Sequence, residues 1–341
     1  MKTFPAWTEA WSIVVTGRLA VCSRLSLETW AGPAVKLALA ALVLWVVTQS
    51  LGTGVSAGLA GATRPAALCV AVALLLPNLA VQFLKWRTLV RRVLPDVRDV
   101  EAAVSLLGGF ALGLVTPARA GEFGGRAWAL PRADAAATAA VTVVDKASTF
   151  IVTCGAGVAG AMILWAGGAS SPVRTVLIGG GCAAVFITVL LLAMRVRVFR
   201  NLRGTIPGKG KLARAVHGAL EAAAAVGRGD LVSAFCWSAV FYAVFTTQFL
   251  LFLSALGTDV SWPIACGVAA VLLAKTVIPP VTFGELGIRE GTSILILAPL
   301  GVAAPAAFGA SLLLFGVNVL LPSAAGAVWL ASTSRVRHSH T

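Results

Sequence analysis

Apolar residues run along the chain in long blocks separated by short polar interruptions, and block length is the first guide to structure. Residues 33–51, 66–84, 147–166, 173–194, 231–256 and 306–331 each approach the ~20 residues that an α-helix needs to cross a ~30 Å hydrocarbon layer. The runs 102–116 and 292–300 are too short to cross, and 263–279 stops at Pro279-Pro280. Ahead of the first block, residues 7–28 place Trp7, Trp11, Val14, Val15, Cys22 and Leu25 at helical spacing, which predicts an interfacial helix or one packed on the bundle. That leader does not have the form of a cleavable signal peptide. The pattern predicts an all-α polytopic membrane protein with about six full spans and two short helical hairpins. Its expected divisions are an N-terminal segment 1–32, a membrane domain 33–331 and a tail 332–341.

Composition agrees. The 341 residues are 58% hydrophobic and 12% charged, with a mean hydropathy of +0.91, which excludes an ordinary soluble protein. The net charge of +14 would suggest nucleic acid on a soluble chain, but its placement argues otherwise. Seven Lys/Arg and no acid lie between Arg195 and Arg214, and five Lys/Arg with Asp96 lie between Lys85 and Arg98. The loops assigned to the opposite side, 51–65, 167–172, 257–262 and 299–305, offer only Arg64 and Asp259. Basic loops mark the cytoplasmic side, and attraction to anionic lipid heads accounts for the rest of the charge. No nucleic-acid partner is expected.

Counting crossings between those basic loops brings the chain inside near residue 101 and inside again near 146. Residues 102–145 must then enter from the cytoplasm and return, while 263–304 enter from outside and return. Span, re-entrant hairpin and span thus occur twice with opposite orientation, in half-repeats of about 66–166 and 231–331 joined by the basic linker 195–230. Both termini fall in the cytoplasm.

The two hairpins share a phrase. Pro117-Ala118-Arg119-Ala120-Gly121-Glu122-Phe123-Gly124-Gly125-Arg126 returns 163 positions later as Pro280-Val281-Thr282-Phe283-Gly284-Glu285-Leu286-Gly287-Ile288-Arg289. Pro117, Gly121, Pro280 and Gly284 would break a helix there and free backbone groups that need partners. Broken helices at matching positions of two halves point to a transporter's central site. The charged candidates are Arg119, Glu122, Arg126, Asp145, Lys146, Glu285, Arg289 and Glu290. A lone charge at the bilayer midplane costs from ~2.5 to more than 10 kcal/mol, so these groups must pair. One outcome is a structural lock between the hairpins. The other is a polar cavity in which forked guanidinium donors meet an anionic group. Asp145-Lys146 is expected at the cytoplasmic border of its span or slightly inside it, as an interfacial pair or a site pair. Lys275 is expected to snorkel or to pair with a glutamate. The six cysteines and three histidines show no metal or redox spacing, and no P-loop is present, so no cofactor is expected.

Thr116-Pro117-x-Arg119-x-Gly121-Glu122, with Arg126 and then Asp145-Lys146, resembles the lysylphosphatidylglycerol synthase transmembrane (flippase-like) family. Phe283-Gly284-Glu285-x-Gly287-Ile288-Arg289-Glu290-Gly291 is similar to that family's second signature. The chain departs from the pattern at Thr149, where the family has a second acid near the acidic-basic pair, and at Phe283, where it usually has paired glycines. The resemblance covers roughly 33–331. It implies a bundle with two re-entrant elements that moves polar lipids between leaflets, with Arg119, Glu122, Arg126, Glu285, Arg289 and Glu290 lining the cavity. Only ten residues follow 331, so the soluble aminoacyl-transferase domain of larger relatives is not expected here.

The function expected from these readings is a flippase for an anionic or phosphate-bearing lipid, in a bacterial cytoplasmic membrane and not an enzyme. The alternatives are a membrane-embedded lipid-modifying transferase and a coupled carrier of a small anion. The expected partners are membrane lipids, with room for a homo-oligomer and for an enzyme that makes the lipid.

Overall fold

The computed structural model describes residues 63–116, 119–130, 133–168, 218–219, 221–223, 225–278 and 287–338. The expected spans 33–51 and 173–194, the leader helix, the basic loop, and Pro117, Pro280, Gly284 and Glu285 lie outside those residues.

Helices account for the ordered elements, and no strand occurs among the described residues. They are α1 (Pro65–Ala73), α2 (Leu75–Val90), α3 (Asp99–Leu114), α4 (Gly121–Trp128), α5 (Ala135–Ala166), α6 (Arg228–Ala255), α7 (Trp262–Val277), α8 (Ile288–Leu297), α9 (Ala304–Phe315) and α10 (Leu321–His338). A π turn, Gly316–Leu320, joins α9 to α10. Among the described residues, four stretches are long and apolar enough to cross a membrane: Pro65–Val90, Ala135–Ala166, Arg228–Ala255 and Ala304–Ala331. Between them lie two pairs that are too short. At 1.5 Å per residue, α3 reaches about 24 Å and α4 about 12 Å. The order long, short, short, long therefore occurs twice.

Local sequence sets the helix starts. Pro65 opens α1 at a position where no amide partner is needed. The Asp134 carboxylate accepts from the Ala136 amide at 2.7 Å and caps α5. The Glu101 carboxylate accepts from the Arg98 amide at 3.0 Å, and that of Asp230 from the Gly227 amide at 2.9 Å. Two helix limits, one start and one end, correct the sequence reading. The span expected at 147–166 begins at Ala135, because the alanine-rich stretch before it is strongly helix-forming and is capped by Asp134. Asp145 and Lys146 therefore sit three turns inside a helix rather than at or slightly inside its border. The span expected at 66–84 runs on to Val90 and draws Lys85 and Trp86 into the interior, where they are 4% and 0% exposed.

The helix boundaries keep a constant register. Pro65 and Arg228, Asp99 and Trp262, and Leu114 and Val277 are each 163 positions apart, the spacing of the repeated phrase. Contacts exchange in the same way: α3 packs on α10 and α7 on α5, while α6 lies against α1 and α2. The first long helices of the two halves are antiparallel. At one end the Thr63 amide donates to the Ala255 carbonyl at 2.8 Å and Arg64 pairs with Asp259 at 2.6 Å; at the other, Arg92 pairs with Asp230 at 2.6 Å.

Small residues bring the helices close, as they do where lipid offers no hydrophobic drive to association. Gly157 and Gly160 of α5 face Leu273, Ala269 and Cys266 of α7. The Ser323 hydroxyl of α10 donates to the Phe110 carbonyl of α3 at 3.0 Å. The largest buried cluster draws mainly on α6, α7, α8 and α9 and includes Phe249 and Phe252, while Phe315 packs in a second cluster with residues of α3 and α10. Val232, Met162, Trp165, Trp262 and Val328 stand exposed on the outside, an apolar surface that suits lipid as solvent.

Candidate functional site

The tip between α3 and α4 is built by Thr116, Arg119 and Gly121. The Thr116 hydroxyl donates to the Leu112 carbonyl at 3.0 Å and accepts from the Gly121 amide at 2.6 Å, so one side chain closes the turn. Gly121 packs directly on the Leu112 carbonyl, where a Cβ would overlap the oxygen. Arg119 adopts φ +54°, a left-handed conformation that costs an L-residue roughly 1–2 kcal/mol. That backbone turns its guanidinium toward Glu122 rather than onward along α3.

Glycines on α3 then make room for the charged side chains of α4. A Cβ on Gly113 would come within 2.6 Å of the Glu122 Cγ, and one on Gly109 within 2.8 Å of the Arg126 Cγ. Gly125 lies against the Gly108 carbonyl, and the Ser105 hydroxyl donates to the Arg126 carbonyl at 2.9 Å. Glu122 and Arg126 are buried against this flat surface, 1% and 2% exposed.

A network forms around them. Arg119 Nη2 lies 2.5 Å from Glu122 Oε1, and Arg126 Nη2 lies 3.8 Å from Oε2, which also takes Lys146 Nζ. Arg126 Nη1 pairs with Asp145 Oδ2 at 2.9 Å, and its guanidinium stacks on the Trp86 ring 4.3 Å from the centroid. Lys85 Nζ closes the network at 2.7 Å from Asp145 Oδ1. It also donates to the Asp145 carbonyl at 3.0 Å, the Thr149 hydroxyl at 2.5 Å and the Ser238 hydroxyl at 3.2 Å. The network thus ties α2, α4, α5 and α6 together.

Exposure divides it in two. Lys85, Arg126 and Asp145 are sealed, with side chains 2–7% exposed. The side chains of Arg119 and Lys146 are 21% and 41% exposed and face open volume. Two carboxylates here hold four cations.

The second copy of the phrase is described from Gly287 onward. Gly287 has φ +92°, and its amide donates to Glu290 Oε2 at 2.7 Å, so Glu290 caps α8. The other oxygen of Glu290 lies 3.1 Å from Arg289 Nη2 and accepts from the Ser311 hydroxyl at 3.2 Å. Arg289 Nε donates to Ser311 Oγ at 3.0 Å, and the guanidinium lies over Phe315, 5.4 Å from its centroid. Arg289 and Glu290 are both 3% exposed.

One cavity of about 510 Å³ receives both copies: Arg119, Glu122, Arg126, Asp145, Lys146 and Arg289 all line it. Glu290 is set behind Arg289 rather than on the described lining. Lys85 and Lys275 line it as well, so six cations face two carboxylates among the described lining residues. The sequence reading placed Lys85 at the cytoplasmic border, and it expected Lys275 to snorkel or pair with a glutamate and left it out of the site. A signal for Lys85 was present: Asn78, Gln82 and Lys85 recur at i, i+4 and i+7, a polar stripe down one face of an apolar span, and all three line the cavity. Asn318, centred in the π turn, lines it too, and such turns often mark functional sites. No cluster of His, Cys, Asp and Glu suited to a metal occurs among the described residues.

Compared with known proteins, residues 34–326 match the family model described as "Lysylphosphatidylglycerol synthase TM region". No curated protein and no solved structure matches the chain. The family match and the apolar helices agree on a multi-pass membrane protein with a function tied to membrane lipid. Covering most of the chain and both charged motifs, the match means that this protein belongs to the lysylphosphatidylglycerol synthase transmembrane-region family.

Proposed function

We propose that this protein moves a lipid with an anionic, phosphate-bearing head group between leaflets, through the cavity shared by its two halves. The observation that carries this reading is that, among the described residues, Lys85, Arg119, Arg126 and Lys146 share two carboxylates, Glu122 and Asp145, beside the cavity. Unbalanced charge at membrane depth is costly, and a bound anion offsets that cost. Arg119 and Lys146 are the residues open to such an anion, and a guanidinium fork matches two phosphate oxygens at once.

Alternating access fits the architecture. The constant 163-residue register and the antiparallel pairing of α1–α2 with α6 support an inverted-topology repeat with two re-entrant hairpins, α3–α4 and α7–α8. The basic loops support a cytoplasmic location for both termini and for the linker at 195–214.

The test is translocation of a labelled anionic phospholipid in proteoliposomes. Wild type should move it, while Arg119→Gln and Lys146→Gln should remain folded and lose most of the rate. Wild-type behaviour in both variants would overturn the reading. Conversion of the lipid to a new species would favour a transferase, and uptake of inorganic phosphate without lipid movement would favour an anion carrier.

A further inference from the structure

The cavity wall is not uniform, and its chemistry divides by helix. Its described charges come from α2, α4, α5, α7 and α8 together with the α3–α4 turn, whereas α6 has no charged residue between Asp230 and its end at Ala255. The lining residues that α6 supplies are Phe241, Tyr242 and Phe245. The two phenyl rings stack with centroids 5.5 Å apart and planes at 27°. All three residues are half-buried, and Tyr242 and Phe245 border the apolar core on one side and the cavity on the other. Phe150 of α5 also lines the cavity and is half-buried, one helical turn beyond Lys146.

Ser238 fixes where this aromatic face stands relative to the cations. Its hydroxyl lies 3.2 Å from Lys85 Nζ and 3.2 Å from Ser148 Oγ, which puts that turn of α6 level with the charged network. Tyr242 and Phe245 follow at i+4 and i+7 on the same face, about 6 and 10 Å further along the axis. At the level of Ser238 the cavity is therefore cationic, and one to two turns away α6 presents aromatic residues to it, with Gln82 and Asn78 of the antiparallel α2 alongside. An inorganic anion would use only the first level, whereas an amphiphile uses both. A volume of about 510 Å³ is also in the range of pockets that enclose a sizeable organic ligand.

We propose that the Phe241–Tyr242–Phe245 face of α6, opposed by Phe150 of α5, is the acyl-chain subsite for the lipid whose head group sits between Arg119 and Lys146. It rests on the lipid reading above. The head group is held by charge, and the first chain segments lie along the aromatic face as the lipid passes.

The test uses the full chain in nanodiscs and an anionic phospholipid with a photoactivatable diazirine in its acyl chain. After photolysis, cross-links should concentrate on the α6 peptide containing Phe241–Phe245 and on the α5 peptide containing Phe150. An excess of the same unlabelled lipid should suppress them roughly ten-fold or more, whereas glycerol phosphate, which shares only the head-group site, should compete only at far higher concentration. The double variant Phe241→Ala/Phe245→Ala should lose the α6 cross-link and slow long-chain lipid movement, yet keep its binding of glycerol phosphate. Cross-links spread evenly over bilayer-facing positions such as Val232 and Val328, without competition, would overturn the subsite. If Arg119→Gln stops translocation while α6 shows no competed cross-link, the head-group reading stands and the subsite falls. If wild type neither binds nor moves anionic lipid, both fall. Should the double variant fail to fold, the competition experiment on the native chain decides alone.

Discussion

The two copies of the phrase share a glutamate and an arginine four residues apart, and the first adds Arg119 where the second has Thr282. In the first, the carboxylate and the guanidiniums lie three and four residues apart, and the network reaches out to α2 and α5 for Lys85, Asp145 and Lys146. In the second, Arg289 pairs with its immediate neighbour Glu290 and with Ser311, and Glu290 spends its other oxygen on capping α8. The first arrangement leaves two cations facing open volume. The second leaves its described pair 3% exposed. The described parts of the two copies therefore differ in setting: the first has two partly exposed cations beside the cavity, and the second keeps its arginine in a nearly sealed pair with a helix-capping glutamate.

The surest way to break that comparison is at Asp145, which lies between Lys85 and Arg126. Asp145→Asn strips two sealed cations of their carboxylate, and breaking such a buried pair costs about 3–5 kcal/mol. Loss of monodisperse protein and a much lower unfolding temperature in detergent are expected. Arg289→Gln comes next. It leaves Glu290 buried beside a neutral partner, so about 2–4 kcal/mol of stability should go, with transport falling in proportion to folded protein. A folded Arg289→Gln variant that selectively loses lipid movement would move the second copy into the substrate path and erase the contrast.

Gly121→Ala sharpens the contrast at the first tip. Its new methyl group overlaps the Leu112 carbonyl, and relief by backbone movement should cost roughly 1–3 kcal/mol in thermal unfolding and misplace Arg119. Arg119→Gln should change stability by less than about 1 kcal/mol, because the side chain is partly open, while translocation drops ten-fold or more. The smallest effect belongs to Asp259→Asn on the outer rim. Asp259 is 91% exposed, and its bond to Arg64 should contribute no more than about 0.5 kcal/mol, read as a shift within the error of a melting curve.

Much of this organisation was legible in the sequence, and the parts that were not share a cause. Run lengths separated long helices from short ones, and the recurrence of Pro-x-x-x-Gly-Glu at 163 residues foretold the register kept by Asp99 and Trp262. The shared cavity followed from the cost of isolated charge at membrane depth. The depth was misjudged for Asp145 and Lys146, read at the border or slightly inside it, and for Lys85, read at the border, because hydropathy falls there. Hydropathy measures composition, and these charges are tolerated inside because Asp145, Thr149 and Ser238 converge on one ammonium group. Such convergence is a property of three helices at once, which a single-helix window does not register. The difference between Arg126 and Arg289 was equally hidden, since it depends on Ser311 and Trp86, residues remote from the phrase itself.

The antiparallel pairing of α6 with α1 and α2, in constant register, has a consequence for how such a chain could arise. Each half supplies what the other half's matching surface lacks: α3 finds α10, α7 finds α5, and α6 finds α1–α2. A gene encoding one half would meet the same contacts if its product inserted into the bilayer in both orientations and two copies met. Tandem duplication removes the need for that chance encounter. It also frees the copies to diverge, one keeping Lys85 where the other, 163 positions on, has Gln248 bonded to the Ala71 carbonyl at 2.8 Å. The basic linker would then fix the orientation of each half. On this view the protein is a heterodimer written as one chain, and its chemistry lies in the places where the two members have stopped being alike.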